Sequence, residues 1–226
     1  MLSLISIHIP KTAGTNFTEV LKTLHGAAIH FDYGTERNLQ DARSCSPKIL
    51  AETKAFRDRT AAIHGHFHYL KYKDVFPDVP VIATLRHPVA RVISQYRHIA
   101  LHGDPNVERH RRIMDGEMSV VRFAKFPFIG NAQSAFLEGI EVEDLDHAII
   151  QEQFGATVRS FCQKAGHGQA SKTIEALIGR SINARNGEAW ATKAIPIADN
   201  DPKRIAQFCD KDLDIYDRAL KKFVKA

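Results

Sequence analysis

A chain of 226 residues, 44% hydrophobic and 25% charged, can bury a sizeable core and fits one α/β unit that needs no disulfides. Its formal net charge of +5 suits an anionic ligand, but the basic residues are scattered, which argues against a nucleic-acid partner. The three cysteines, Cys45, Cys162 and Cys209, are odd in number, far apart and without a CxxC pair, so they read as reduced thiols of a cytoplasmic protein.

Leu2 to Ile9 is a short apolar run rich in β-branched residues and predicts a buried strand. It stops at Pro10-Lys11, too soon for a signal peptide or a membrane span. Pro10 to Gly14 predicts a loop, and Thr15 to Leu24 a helix, with Phe17, Val20, Leu21 and Leu24 at helical spacing. Residues 61–67 and 79–85 predict two further strands, and Val89–Leu101 a helix entered through Pro88. His102–Gly116 is polar and basic, shows no apolar period and reads as an exposed excursion. His147–Glu152 predicts a weaker strand, followed by a helix around Ala156–Ala165. Asn200-Asp201-Pro202 predicts a helix start with an Asx cap, and Asp212–Val224 an amphipathic helix. Strands alternating with helices predict a mostly parallel sheet covered on both faces, in a single domain over residues 1–226.

Two constellations carry chemistry. The first is His8-Ile9-Pro10-Lys11-Thr12-Ala13-Gly14-Thr15-Asn16, where a strand hands over to a helix. Unbonded N–H groups and the positive dipole end of a helix start make an anion site. Gly14 would let the backbone approach a phosphate, with Thr12, Thr15 and Asn16 as donors and Lys11 as a charge. A plain capped helix explains the same residues equally well. The loop lacks the GxxxxGK[ST] order of a Walker A motif, and Val81–Leu85 ends in Arg86, not a carboxylate that could hold magnesium, which disfavours a nucleotide kinase or hydrolase. The second constellation runs from Thr84 to Tyr96. Arg86 closes a strand, and Ser94 follows two turns into the next helix, so a guanidinium fork and a hydroxyl could meet a phosphate monoester. A structural ion pair for Arg86 and a helix-internal hydroxyl for Ser94 are the plainer alternatives.

Between these lies His64-Gly65-His66-Phe67-His68. On a strand His64 and His66 share a face. A histidine suits proton abstraction near neutral pH. A metal site would also use histidines, but no Asp or Glu lies in the cluster. For His64, burial in the core is a further reading.

PKTAGT resembles the 5′-phosphosulfate loop of sulfotransferases, and RHPVARVISQY resembles their 3′-phosphate motif. His64-Gly65-His66 is similar to the HGH segment of the heparan sulfate 2-O-sulfotransferase branch. Asn131 to Gly139 and Asp212 to Tyr216 are similar to its later motifs, so the resemblance spans nearly the whole chain in family order. Ala13, Asn16 and Ala135 depart from the usual glycine, serine or threonine, and arginine.

The resemblance implies a P-loop-like three-layer α/β sandwich and an enzyme using 3′-phosphoadenosine 5′-phosphosulfate (PAPS) as co-substrate, with no metal. It implies transfer of a sulfuryl group to the hydroxyl of an acceptor, a carbohydrate. His66 would be the base, His64 its support and Lys11 the group that meets charge on the leaving nucleotide. Lys11, Thr12, Ala13, Gly14, Thr15 and Asn16 would hold the 5′-phosphate, and Arg86 and Ser94 the 3′-phosphate. The segment 102–117 would shape acceptor choice. A non-catalytic nucleotide-binding protein on the same fold is the other alternative.

Overall fold

β1 (Leu4–His8) is buried along its whole length and lies at the centre of a five-stranded sheet. β2 (Ile29–Asp32), β3 (Ala62–Gly65), β4 (Val81–Leu85) and β5 (His147–Ile150) complete it in the order β2-β3-β1-β4-β5. All four pairings are parallel. The structure, a computed structural model, describes residues 2–34, 42–166, 168, 170–183 and 197–224.

The side-chain period of two sorts the strands into two apolar faces. Leu4, Ala62, Ile82 and Ile149 meet Phe17, Val20 and Leu21 of the Gly14–His25 helix and Phe154, Val158 and Phe161 of the Phe154–Lys164 helix. Ile5, Ile7, Ile63, Ala83 and Ile150 face the other way, toward Tyr72, Phe76 and, on the Asp210–Phe223 helix, Tyr216, Ala219 and Phe223. Helices on both faces of a parallel sheet are the α/β sandwich that the strand and helix alternation predicts. A third cluster joins Val92, Tyr96 and Ile99 of the Pro88–His102 helix to Ile113, Phe123 and Ile205.

Two local expectations change, and one strand is added. The excursion after His102 contains a helix, Glu108–Met114, anchored in the third cluster by Ile113, the one residue of it that is buried. Asn200 makes no side-chain cap; Asp201 instead accepts the Ala198 N–H at 3.2 Å. β2 was hidden in the sequence because Ile29-His30-Phe31-Asp32 is half-exposed on an edge and carries no clean alternation. Among the described residues no helix is long and apolar enough to cross a membrane.

Candidate active site

The loop between β1 and the first helix is held in an unusual backbone shape. Lys11 and Ala13 both have positive φ, 70° and 65°. Left-handed residues in such a turn point successive N–H groups into a concavity that suits an anion. Ala13 is the N-cap and offers no side-chain cap, and the first helical turn carries no acidic residue. The N–H groups of Asn16 and Phe17 both reach back to the Ala13 carbonyl, at 3.1 and 3.2 Å. What remains at the helix start is a dipole end without a carboxylate, the electrostatic setting for a phosphate.

The loop is stapled to β4 from inside. Thr12 is fully buried, and its hydroxyl donates to the Ile9 carbonyl (2.6 Å) and lies 2.5 Å from the Thr84 hydroxyl, which in turn accepts the Ile9 N–H at 3.2 Å. The Thr12 side chain is therefore spent on the loop itself. Gly14 has a local reason of its own beside the expected one. A Cβ there would sit 1.8 Å from His8 Nε2, so glycine is required by the His8 ring packed across it.

Arg86 extends from the end of β4 to the Lys11 carbonyl (Nη1 to O, 3.2 Å). Its partner Glu152 is distant at 3.9 Å, so the structural ion pair is present only loosely. The Arg86 N–H donates to Gln133 Oε1 at 2.9 Å. Behind it, buried Asp212 accepts the N–H groups of Gln133 (2.9 Å) and Ser134 (2.7 Å). The two later motifs of the sequence thus meet each other and support the Arg86 turn. Arg91, fully buried, donates to the Ile129 carbonyl and to Gln95 Oε1.

The histidines divide by role. The register Ser6↔His64 places Ser6 and His64 side by side on the face covered by the first helix. His64 Nδ1 is 2.9 Å from Ser6 Oγ, and Nε2 is 3.0 Å from Thr18 Oγ1. Because the Thr18 hydroxyl donates to the Gly14 carbonyl (2.8 Å), Nε2–H of His64 donates to Thr18. Both nitrogens are thus committed in the core, and burial holds the His64 pKa down to about 3. His66, half-buried one turn of the pleat onward, donates Nδ1–H to the His8 carbonyl at 2.5 Å. That bond fixes the neutral tautomer whose lone pair is on Nε2, the form a general base needs. His8 lies 4.3 Å from His66 between ring centroids, and its Nδ1 is 3.1 Å from Tyr33 Oη. Burial, then His66, His64 and Lys11, push its pKa down to about 2. His68 stacks on Phe136 at 4.6 Å and does not join the others. Lys11 has a lowered pKa, through burial and then the charge of Arg86.

One cleft of about 620 Å³ at the C-terminal rim of the sheet gathers these groups, where open α/β sheets bind ligands. Lys11 to Asn16, His66, Arg86 and Ser94 all line it, and His64 does not. His8, Gln95 and Gln151 share the lining, as do Asp104, Arg109 and His110 from the segment after the Pro88–His102 helix. Ser6, Thr18 and Tyr33 escaped sequence reasoning, and Thr84 and Gln133 lay inside recognised motifs without an assigned role.

A search of curated protein sequences finds no match. Among solved structures similar to the chain is mouse sulfotransferase SULT7A1 complexed with PAP, at 13% identity and a TM-score of 0.46, covering 99% of this chain and 84% of that one. The sequence model of the sulfotransferase family matches residues 2–136, more than half of the chain. That match covers the loop after β1, Arg86 and the HGH pair, and this chain belongs to the sulfotransferase family.

Proposed function

We propose that the chain, as a single cytoplasmic domain, transfers a sulfuryl group from PAPS to a carbohydrate hydroxyl without a metal ion. The observation that carries this reading is the convergence of Lys11, Arg86, Ser94 and His66 on one cleft beside an uncapped helix start. The N–H groups around Ala13 to Thr15 would hold the 5′-phosphate, and Arg86 with Ser94 the 3′-phosphate. The acceptor oxygen attacks sulfur in line as His66 Nε2 takes its proton. The S–O bond to the nucleotide breaks, and its electron pair leaves on the bridging oxygen of adenosine 3′,5′-bisphosphate, where Lys11 meets the charge. Positioning and electrostatics then supply most of the acceleration. The three free thiols suit a reducing compartment.

Calorimetry tests the donor assignment. Adenosine 3′,5′-bisphosphate should bind at least about 10-fold more tightly than AMP, since each charge-assisted bond to the extra phosphate contributes on the order of 1.5–3 kcal/mol. Equal affinities would remove the 3′-phosphate site. Labelled PAPS offered with a panel of sugars, phenols and alcohols identifies the acceptor class. Magnesium-dependent ATP turnover in place of sulfuryl transfer would overturn the reading.

A further inference from the structure

Phe31 and Tyr33, at the end of β2, are among the large aromatic side chains left open to solvent in the described residues, at 40% and 43% exposure. The rings are nearly parallel, 18° apart in plane and 6.2 Å between centroids. Two contacts hold Tyr33 in place: its hydroxyl is 3.1 Å from His8 Nδ1 and 3.4 Å from Thr18 Oγ1. Its ring meets that of His66 edge-on at 4.9 Å. The strand pairing Phe31↔His64 puts this aromatic pair on the same sheet face as the histidines.

Strand order decides what the pair faces. The groups assigned to the donor leave β1 and β4, whereas His66 leaves β3 and lies on the other side of β1. The next strand outward is β2, so an oxygen attacking opposite the nucleotide reaches His66 from the β2 side. The tie to His66 is the Tyr33 ring itself; the cavity of about 590 Å³ beyond β2 is bordered by both aromatics but opens to the Ile49, Phe56 and Tyr72 side of the sheet, away from His66. Neither aromatic lines the donor cleft.

We propose that Phe31 and Tyr33 form the acceptor subsite, an aromatic wall that takes the apolar C–H face of a pyranose ring and sets one of its hydroxyls at His66. The inference rests on the sulfotransferase reading above. An aromatic face offers a sugar apolar contact at little cost in side-chain entropy, and the fixed Tyr33 ring is already ordered. A flat wall selects ring acceptors over flexible aliphatic alcohols.

The test uses the full chain, labelled PAPS, and methyl glucoside, methyl glucuronide and an N-acetylglucosamine dimer as acceptor probes. For the best probe, Phe31→Ala and Tyr33→Ala should each raise acceptor KM by roughly 5–10-fold, the effect of losing one aromatic contact. Tyr33→Phe, which keeps the ring but loses the two hydroxyl contacts that fix it, should fall between wild type and Tyr33→Ala, and Phe31→Trp should keep KM at or below the wild-type value. The Kd for adenosine 3′,5′-bisphosphate, measured by calorimetry, should not move in any variant. An active enzyme whose acceptor KM is unchanged in Phe31→Ala and Tyr33→Ala refutes the wall and leaves the sulfotransferase reading standing. A wild-type chain that binds the bisphosphate yet sulfates none of the sugars overturns the wall and the carbohydrate assignment together. Failure to bind the bisphosphate at all overturns the underlying reading.

Discussion

His8 and His64 are held neutral by burial, and this has a consequence for acid stability that is separate from catalysis. In the unfolded chain both rings take up protons near their ordinary value of 6.5; in the folded protein they do so only near 2 and 3. The unfolded state therefore binds more protons below about pH 6.5, so their contribution is complete above that pH and lost progressively as pH falls toward the folded values. Between pH 7 and pH 5 the loss is on the order of 2 kcal/mol for each ring. Urea unfolding across that range should show a steep decline, and His64→Asn should flatten it by about half while lowering stability at pH 7. His66 is distinguished by kinetics. His66→Ala should lower turnover by about 10²–10⁴ with bisphosphate affinity intact, whereas Lys11→Ala should weaken both turnover and donor binding. Turnover at the wild-type rate in a folded His66→Ala protein would exclude it as the base. Ala13 carries its own prediction. A β-branched residue is poorly tolerated at a φ of 65°, so Ala13→Val should abolish bisphosphate binding, while Ala13→Gly should retain it.

The elements that shape the cleft are positioned from beneath by buried polar groups. Thr84 on β4 ties the loop between β1 and the first helix down through Thr12 and Ile9. At the back of the Arg86 turn, the Asp210–Phe223 helix contributes Asp212 to Gln133 and Ser134, and Tyr216 donates to Glu152 at 3.1 Å. Glu152 in turn accepts the His87 N–H. Asp212→Ala would orphan the buried Gln133 N–H and the part-buried Ser134 N–H and leave the buried Arg91 without the charge that opposes its own. A loss of about 3–5 kcal/mol follows, measurable by chemical denaturation. Bisphosphate affinity should fall with it, because Gln133 no longer holds the Arg86 backbone. A melt within about 1 kcal/mol of wild type would show that the C-terminal helix does not support the site.

At the scale of the whole molecule, donor product and fold should be linked. Bisphosphate at 100 times its Kd should stabilise the chain by about 2.7 kcal/mol, seen as a rise in Tm that persists in EDTA. Much of this was legible in the sequence. The strands β1 and β4 and the helices that follow them could be anticipated because apolar period is a local property of the chain, whereas the clustering of Lys11, Arg86, Ser94 and His66 was expected only through the family resemblance. The role of Thr12 could not be anticipated, since its hydroxyl is claimed by Thr84, 72 residues away. Nor could the second reason for Gly14, which answers to the His8 ring, or the commitment of both His64 nitrogens to Ser6 and Thr18. Each depends on which strand lies beside which, and parallel pairing across long crossovers is not written in any local pattern. The sequence by itself thus determined which residues could do chemistry. Tertiary structure decided which of them face the cleft and which are consumed in holding it, because a buried polar group must be satisfied by whatever the fold brings within reach.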